Sequence, residues 1–393
     1  EQWSIVKGQA AIALDGERRI YDVGESVLVR PGVAHQLTNP GAEDLVLIEV
    51  SLGELAPARQ DGDLQEMPQS GDGREMAADP ILRLEPVFKD NLWGGTALRD
   101  RYGKHCDYDV IAESWELSAH EAGQSLVASG PARGMPFGEY LARIGRGRWG
   151  WKCQAQERFP LLIKLIDARK DLSIQVHPGD EYALARENEY GKNEMWYIMD
   201  CQPGARLYCG FSRPVSKEEV AARVKNGTLT QVLNEVPVHK GQVVFIPAGM
   251  VHAIGAGILL CEVQQSSNVT YRLYDYGRKD RYGQLRQLHL EKALDVLDTT
   301  ARPQILEARE NEEGRARLCA CKYFSVERQR VCGKTALAGD DASFTALMFL
   351  EGHGTVQAED TTLPWKSADC FFVPAGRRPI LLEGEGTLLV VRL

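Results

Sequence analysis

The sequence predicts a mainly β protein with three antiparallel sandwiches or barrels, the central one decorated with helices. Two observations lead to this prediction. Short alternating runs separated by Gly, Pro and Asp turns fill residues 1–52, and the same pattern returns at 172–200 with 238–265 and at 344–393. A unit of turn, apolar strand and Pro/Gly corner also occurs three times along the chain, which indicates three related units.

The first unit is predicted from five short runs between turn residues, at 3–7, 10–14, 20–22, 26–29 and 45–50. It starts at Glu1 without an initiator Met, and we expect that residues upstream are missing. Residues 53–79 are rich in Gly, Pro, Asp and Gln and lack apolar periodicity, which predicts a linker. The main body of the protein therefore begins near Pro80.

Helices are predicted in the first part of the main body, residues 80–310, and distinguish it from the final β unit, residues 311–393. Ser216 and Glu219 form a capping box, which predicts a helix over 218–225. Apolar residues at helical spacing predict further helices at 136–144, 228–235 and 288–297.

Composition narrows the class of protein. The chain has 393 residues, of which 44% are hydrophobic and 26% charged, as in ordinary globular proteins. Its net charge of −9 and scattered Lys and Arg residues disfavour a nucleic-acid partner. The apolar stretches are too short to span a bilayer, so no membrane partner is expected. Nine irregularly spaced Cys without a Cys-x-x-Cys pair disfavour disulfides and favour a reducing, cytoplasmic location.

The repeated unit ends in a position that carries chemistry in one copy. The three copies are GESVLVRPGVAH at 24–35, GQVVFIPAGMVH at 241–252 and DCFFVPAGRRP at 369–379. The residue three places after the corner Gly is His35, His252 and Pro379 in turn. This plan resembles the cupin motifs, which implies three jelly-roll barrels. Because the first copy lacks a second His nearby and the third lacks its His, both flanking cupins are expected to hold no metal.

The segment LSIQVHPGD at 172–180 contributes two polar side chains to one cavity. Alternate residues of a strand point to the same side, so Gln175 and His177 share a face. Cupin geometry implies that Glu194 and His252 reach the same place. Two imidazoles, one carboxylate and one amide oxygen suit Zn²⁺ or a similar divalent ion. A hydrogen-bonded core pair is the alternative for Gln175 and His177 alone.

Several segments together resemble one enzyme family, the short bacterial form of type I mannose-6-phosphate isomerase. They are DNLWGG at 90–95, ESWELS at 113–118, LSIQVHP at 172–178, GKNEMWY at 191–197, IPAGMVHA at 246–253 and EVQQSSNVTYRLYDYGR at 262–278. The resemblance extends over roughly residues 80–393. It implies a zinc-dependent aldose–ketose isomerase that interconverts mannose 6-phosphate and fructose 6-phosphate through an enediol or enediolate.

The resemblance also implies roles for individual residues. It maps the zinc ligands onto Gln175, His177, Glu194 and His252. It maps the remaining active-site positions onto Lys192, Glu262 and Arg272. By this interpretation residues 80–310 form the catalytic, metal-binding cupin, between a partial cupin at 1–52 and a C-terminal cupin at 311–393.

The side chains of Lys192, Glu262 and Arg272 fit the chemistry of an aldose–ketose isomerase. An aldose–ketose isomerase moves a proton between C1 and C2 and stabilises the enediolate, which requires a base and an electrophile. Glu262 follows an apolar run, so a raised pKa suited to proton transfer is expected. Arg272 offers a planar fork and Lys192 a point charge for phosphate or developing charge. A metal-bound hydroxide or another side chain remains an alternative base, and Glu262 could instead be the structural partner of a buried Lys or Arg.

Residues 1–52 resemble a different protein, the C-terminal cupin of mannose-1-phosphate guanylyltransferases and type II mannose-6-phosphate isomerases. The Gly-rich and basic motif of the nucleotidyltransferase is absent, so that activity is not assigned. Two alternatives to the isomerase remain open. One is another metal-dependent cupin enzyme, either an oxygenase or an enzyme of a different sugar phosphate, and the other is a non-catalytic sugar-binding or regulatory cupin. The sequence does not determine the oligomeric state.

Overall fold

The computed structural model describes residues 2–14, 17–28, 35–40, 45–50, 76–279, 283–306 and 309–393. The chain divides into two compact units, Glu1–Asp72 and Gly73–Leu393. Residues 53–75 of the expected linker, the first-copy corner at 29–34 and Glu1 lie outside the described residues.

The smaller unit is built of short antiparallel strands, as its turn spacing predicts. They are β1 (Gln2–Lys7), β2 (Ala10–Leu14), β3 (Glu17–Tyr21), β4 (Ser26–Leu28), β5 (His35–Thr38) and β6 (Val46–Val50). They form two three-stranded sheets with the orders β4-β1-β6 and β3-β2-β5. Trp3, Ile5, Ile12 and Val27 are buried together in its core.

The larger unit is also mainly β. Its strands are β7 (Leu82–Glu85), β8 (Val87–Lys89), β9 (Glu113–Leu117), β10 (Ala119–His120), β11 (Gly123–Gln124), β12 (Leu126–Val127), β13 (Leu161–Ala168), β14 (Ile174–Val176), β15 (Glu194–Cys201), β16 (Arg206–Phe211), β17 (Leu233–Pro237), β18 (Val243–Ile246), β19 (His252–Ile254), β20 (Ile258–Gln265), β21 (Tyr271–Tyr274), β22 (Gln304–Leu306), β23 (Arg315–Ala320), β24 (Ser325–Leu337), β25 (Thr345–Ala358), β26 (Thr361–Lys366), β27 (Cys370–Val373) and β28 (Ile380–Arg392).

The described helices of this unit all lie before residue 297. They are α1 (Ala97–Tyr102), α2 (Phe137–Ile144), α3 (Asp180–Glu187), α4 (Lys217–Lys225) and α5 (Leu290–Val296), with 3₁₀ turns at Arg146–Trp149, Trp151–Cys153 and Leu229–Val232. None of the helices in the described part of the chain is long and apolar enough to cross a membrane.

Three of the predicted helices are confirmed and one is wrong. The structure contains α2, α4 and α5 where the sequence predicts helices, and the Ser216 hydroxyl accepts from the Glu219 amide at 3.2 Å. The predicted helix at 228–235 is instead a 3₁₀ turn followed by strand β17. β17 pairs with β16, and Leu233 and Val236 are buried, so sheet pairing and burial outweigh the local helical spacing.

Two antiparallel sheets face each other in the central region. One has the order β22-β18-β15-β20-β13-β9-β8 and the other the order β17-β16-β19-β14-β21. Apolar residues of both sheets, including Ile198, Leu207 and Leu260, pack into a shared core cluster. The outer face of the five-stranded sheet is covered by α4 and α5, whose Val220, Val224 and Ala293 belong to the same core cluster as Ile174 and Val176. The helices therefore leave the inner face of that sheet available for a site.

The C-terminal strands form an eight-stranded sheet with the path β12-β7-β27-β25-β28-β24-β23, to which β26 is added beside β25. β7 and β12 come from the beginning of the larger unit. They belong to this sheet because β7 pairs with β27, with Leu84 opposite Cys370, and β12 pairs with β7. A core cluster that includes Phe137, Phe159 and Phe372 joins this sheet to the central region.

Candidate metal centre and active site

Three strands of the five-stranded sheet place polar side chains side by side. β14 lies between β19 and β21, with Gln175 opposite His252 on one side and opposite Arg272 on the other. Ile174 and Val176 are fully buried against the helices. Gln175 points the other way, to within 3.5 Å of the Nε2 atoms of both His177 and His252. The expected shared face of Gln175 and His177 is thus present.

The facing seven-stranded sheet contributes a second row of side chains to the site. Trp115, Lys164, Glu262 and Trp196 are paired in register across β9, β13, β20 and β15. All four line the same cavity as Gln175. Glu194 is the first residue of β15 and lies at the edge of this row. The cavity therefore receives ionisable groups from both sheets.

His177, Glu194 and His252 form a compact buried cluster. His177 Nε2 lies 3.2 Å from Glu194 Oε1, and His252 Nε2 lies 3.7 Å from Glu194 Oε2. Each of the three residues is about 1% exposed, and their ligand atoms all lie within 4.8 Å of one another. The four residues expected to hold a metal are thus brought together.

The polar atoms of this cluster fit a divalent cation. His252 Nδ1 donates to the Met250 carbonyl at 2.8 Å, which leaves the Nε2 lone pair directed at Glu194. Glu194 Oε2 is buried without a hydrogen-bond partner among the described residues, a costly arrangement unless another group satisfies it. A half-turn of the Gln175 amide would present its oxygen to the same point.

The electrostatics set the protonation states that metal binding requires. Burial and the charge of Lys192 lower the pKa of His177 to about 3, and burial also lowers the pKa of His252. Although burial opposes ionisation of Glu194, the neighbouring His177 and Lys192 hold its pKa well below 4.5. The cluster therefore consists of two neutral imidazoles and one carboxylate, the forms that bind a metal.

Glu262 has an environment that keeps its proton near neutral pH. Its Oε1 accepts from Trp196 Nε1 at 2.7 Å, and its Oε2 lies 3.5 Å from Lys164 Nζ. Burial, with the negative charge of Glu194, raises the pKa of Glu262 to about 7. The direction agrees with the expectation from its apolar flank. Lys164 is also the kind of buried partner that the structural alternative for Glu262 requires.

Lys164 and Glu113 are site residues that the sequence reasoning missed. Lys164 Nζ lies 3.5 Å from Glu113 Oε2, and Asn91 and Trp115 donate to the two oxygens of Glu113 at 2.8 and 2.7 Å. Glu113 belongs to the ESWELS segment, which contributes to the family resemblance, but the sequence assigns this residue no role. The signal for Lys164 is a single cation in β13, a strand of eight residues that are all buried.

Arg272 and Lys192 complete the cationic side of the cavity. Arg272 Nε donates to Ser173 Oγ at 3.1 Å and Nη1 donates to the Gln287 carbonyl at 3.0 Å. Within the described ranges no carboxylate forms an ion pair with Arg272. Lys192 Nζ lies 3.3 Å from Glu194 Oε1. The cavity has a volume of about 450 Å³. Its lining includes five cations, Lys89, Lys164, Lys192, Arg272 and Arg286, and four carboxyl groups, those of Asp90, Glu113, Glu194 and Glu262. Because no carboxylate in the described part of the chain holds Arg272, its charge suits an anionic ligand.

Models of known families match three stretches of the chain. The catalytic domain of type I phosphomannose isomerase matches residues 81–200, and the cupin domain of mannose-6-phosphate isomerase matches residues 316–393. A cupin domain matches residues 1–51. A segment of 53 residues is also 49% identical to part of mannose-1-phosphate guanylyltransferase of Salmonella montevideo, covering 14% of this chain and 11% of that protein.

Similar proteins and structures extend over most of the chain. Mannose-6-phosphate isomerase ManA of Bacillus subtilis is 39% identical over 323 residues, covering 81% of this chain and 100% of that protein. The mannose-6-phosphate isomerase of Streptococcus mutans is 35% identical, with 78% of this chain and 96% of that protein covered. The crystal structure of the Bacillus subtilis enzyme superposes with a TM-score of 0.74 at 36% identity, covering 80% of this chain and 100% of that chain. Since whole proteins of this kind align with the chain, it belongs to the type I mannose-6-phosphate isomerase family.

Proposed function

We propose that the protein is a Zn²⁺-dependent isomerase that interconverts mannose 6-phosphate and fructose 6-phosphate. The observation that carries this proposal is the buried His177, Glu194 and His252 cluster beside Glu262, in a cavity lined by five cations. The names of the relatives support the substrate, and the cations suit its phosphate.

Gln175, His177, Glu194 and His252 are the residues that would hold the metal. Two imidazole nitrogens and two oxygens form a donor set that Zn²⁺ accepts. When bound, the ion would supply Lewis-acid polarisation of the sugar oxygens. The orphaned Oε2 of Glu194 and the fixed tautomer of His252 support this assignment.

Glu262 would move the proton between C1 and C2. A carboxyl group with a pKa of about 7 is partly ionised near neutral pH, so it can accept a proton from one carbon and return it to the next. The hydrogen bond from Trp196 and the nearby Lys164 ammonium hold its two oxygens in a fixed direction. A catalytic group held in the reactive geometry lowers the entropic part of the activation barrier.

Lys192 and Arg272 would bind phosphate or stabilise the charge that develops on the sugar oxygens. Arg272 directs its guanidinium into the cavity from β21, where neutral acceptors rather than a carboxylate hold it. Its charge therefore remains available to an anion. Lys164, which Glu113 and Glu262 flank, would add a positive charge at the opposite wall.

We also propose that the fold contains three cupin barrels, with residues 80–310 as the catalytic domain and 53–79 as a linker. The family matches at 1–51 and 316–393 and the two facing central sheets support this division. The flanking cupins at 1–52 and 311–393 would hold no metal. Metal analysis of the purified protein tests this point, because it should find one Zn²⁺ per chain.

The test of the function is a coupled assay that follows conversion of mannose 6-phosphate to fructose 6-phosphate. It is run on the protein as purified, after removal of metal by a chelator and dialysis, and after addition of Zn²⁺. We expect the activity to disappear with the metal and to return with Zn²⁺. Full activity in protein shown to be metal-free would refute the metal dependence. A folded, Zn²⁺-loaded protein without turnover would favour a sugar-binding module instead.

A further inference from the structure

The side chains of Asp180, Asn193 and Gln265 form a hydrogen-bonded series that joins separate segments of the chain near the candidate metal-binding residues. We propose that Asn193, in the middle of this series, is a positioning residue that sets the spacing of the metal-binding residues. The inference rests on the metal site of the proposed function. We call Asp180, Asn193 and Gln265 the amide bracket.

The bonds of the amide bracket are short and continuous. Asn193 Nδ2 donates to Gln265 Oε1 at 2.7 Å, and the Asn193 backbone amide donates to the same oxygen at 3.0 Å. Gln265 Nε2 donates to Asp180 Oδ1 at 2.8 Å. At the other end, the backbone amide of Ala248 donates to Asn193 Oδ1 at 3.0 Å. The series thus runs from Ala248 through Asn193 and Gln265 to Asp180.

Each segment joined by the bracket carries a residue of the site. Asn193 directly precedes Glu194, and Asp180 lies three residues after His177. Ala248 belongs to the corner that leads into His252, and Gln265 ends the strand that contains Glu262. Asn193 therefore ties its own segment to those of the other groups, although its side chain is hydrogen-bonded to Gln265 and Ala248 rather than to a proposed ligand.

The direction of these hydrogen bonds requires an amide at position 193. Asp180 Oδ1 accepts a second bond from the Gly191 amide at 2.9 Å, so Gln265 must present its NH₂ group to Asp180 and its oxygen to Asn193. Asn193 must then donate to Gln265 and accept from Ala248. Asp at this position would keep the acceptor but oppose its carboxylate to the Gln265 oxygen.

Loss of the bracket should weaken metal binding without removal of a ligand. The ligand atoms of His177, Glu194 and His252 lie within 4.8 Å of one another, so a small shift of one segment changes every distance to the ion. Groups hydrogen-bonded directly to metal ligands typically contribute about 10- to 100-fold to metal affinity. Asn193 acts one bond further away, through the backbone, so the lower end of this range applies. We expect at least a roughly 10-fold weaker affinity for Zn²⁺ when Asn193 is replaced.

The experiment compares Asn193→Ala and Asn193→Asp with the wild type and with a matched control, Gln329→Ala. Gln329 is a buried amide in β24 that donates to the carbonyls of Glu313 and Arg330 at 2.8 and 2.7 Å. The metal-free proteins are checked for folding by circular dichroism. Affinity for Zn²⁺ is then measured by competition with a chromophoric chelator, alongside the melting temperature of the metal-free form.

We expect both Asn193 variants to bind Zn²⁺ at least about 10-fold more weakly than the wild type, and Gln329→Ala to lose melting temperature but no affinity. The Asp variant preserves side-chain volume and decides the question if the Ala variant does not fold. A folded Asn193 variant with wild-type Zn²⁺ affinity would overturn the positioning role and leave the proposed function intact. A wild-type protein that binds no Zn²⁺ would overturn both.

Discussion

Replacement of Glu262 by Gln tests the buried carboxyl at the centre of the proposed mechanism. The substitution removes the ionisable proton and keeps the shape. The pKa of Glu262 is about 7 in the metal-free folded protein, against an ordinary value of 4.5. At 1.36 kcal/mol per pKa unit, this difference corresponds to about 3 kcal/mol of unfolding free energy.

The direction in which the unfolding free energy changes with pH follows from which state, folded or unfolded, keeps the proton on Glu262. Below pH 4.5 both the folded and the unfolded chain keep the proton on Glu262. Between pH 4.5 and about 7 the unfolded chain releases it while the folded chain retains it, so rising pH favours unfolding. The stabilising contribution of the protonated group is fully present below this window and lost above it. The Gln variant has no such loss, so it should gain up to about 3 kcal/mol relative to wild type as pH rises from 4 to 8.

The assay is urea unfolding of the metal-free proteins across this pH range, followed by tryptophan fluorescence. Any pH-independent cost of the Gln side chain beside Lys164 cancels, because only the change in the difference with pH is used. Glu291→Gln, at an exposed residue of α5, controls for the change in net charge. A difference between Glu262→Gln and wild type that stays constant from acid to alkaline pH would refute the raised pKa and the reasoning from burial.

Three further predictions concern the site and the fold. His177→Ala should lose both bound Zn²⁺ and turnover, measured by metal analysis and the coupled assay, since a ligand is removed; full metal content would contradict its role. Arg272→Ala should keep Zn²⁺ but lose turnover by roughly 100-fold, the effect of a lost group that stabilises developing charge; a normal rate would exclude that role. Ser216→Ala should destabilise the protein by about 1 kcal/mol through loss of the α4 cap, visible as a lower denaturation midpoint. An unchanged midpoint would show that the cap does not contribute.

Much of the candidate metal-binding cluster was predictable because its determinants are local. Alternation along a strand places Gln175 and His177 on one face, and the repeated corner identifies His252 without any knowledge of distant contacts. The Ser216 cap is likewise specified within four residues. The resemblance to a known family supplied Lys192, Glu262 and Arg272, whose positions the residue pattern alone does not single out.

Other features depend on the pairing of distant strands. Residues 228–235 have helical spacing, yet β17 forms because it pairs with β16 and because Leu233 and Val236 are buried in the core. The Lys164 charge is accommodated because its Nζ lies 3.5 Å from a carboxyl oxygen of both Glu113 and Glu262. The amide bracket exists because four segments of the chain converge. The sequence by itself determined the mainly β class, the repeat and the candidate ligands. Only the tertiary structure decided which charges share the cavity, because contacts between residues far apart in the chain depend on register and burial.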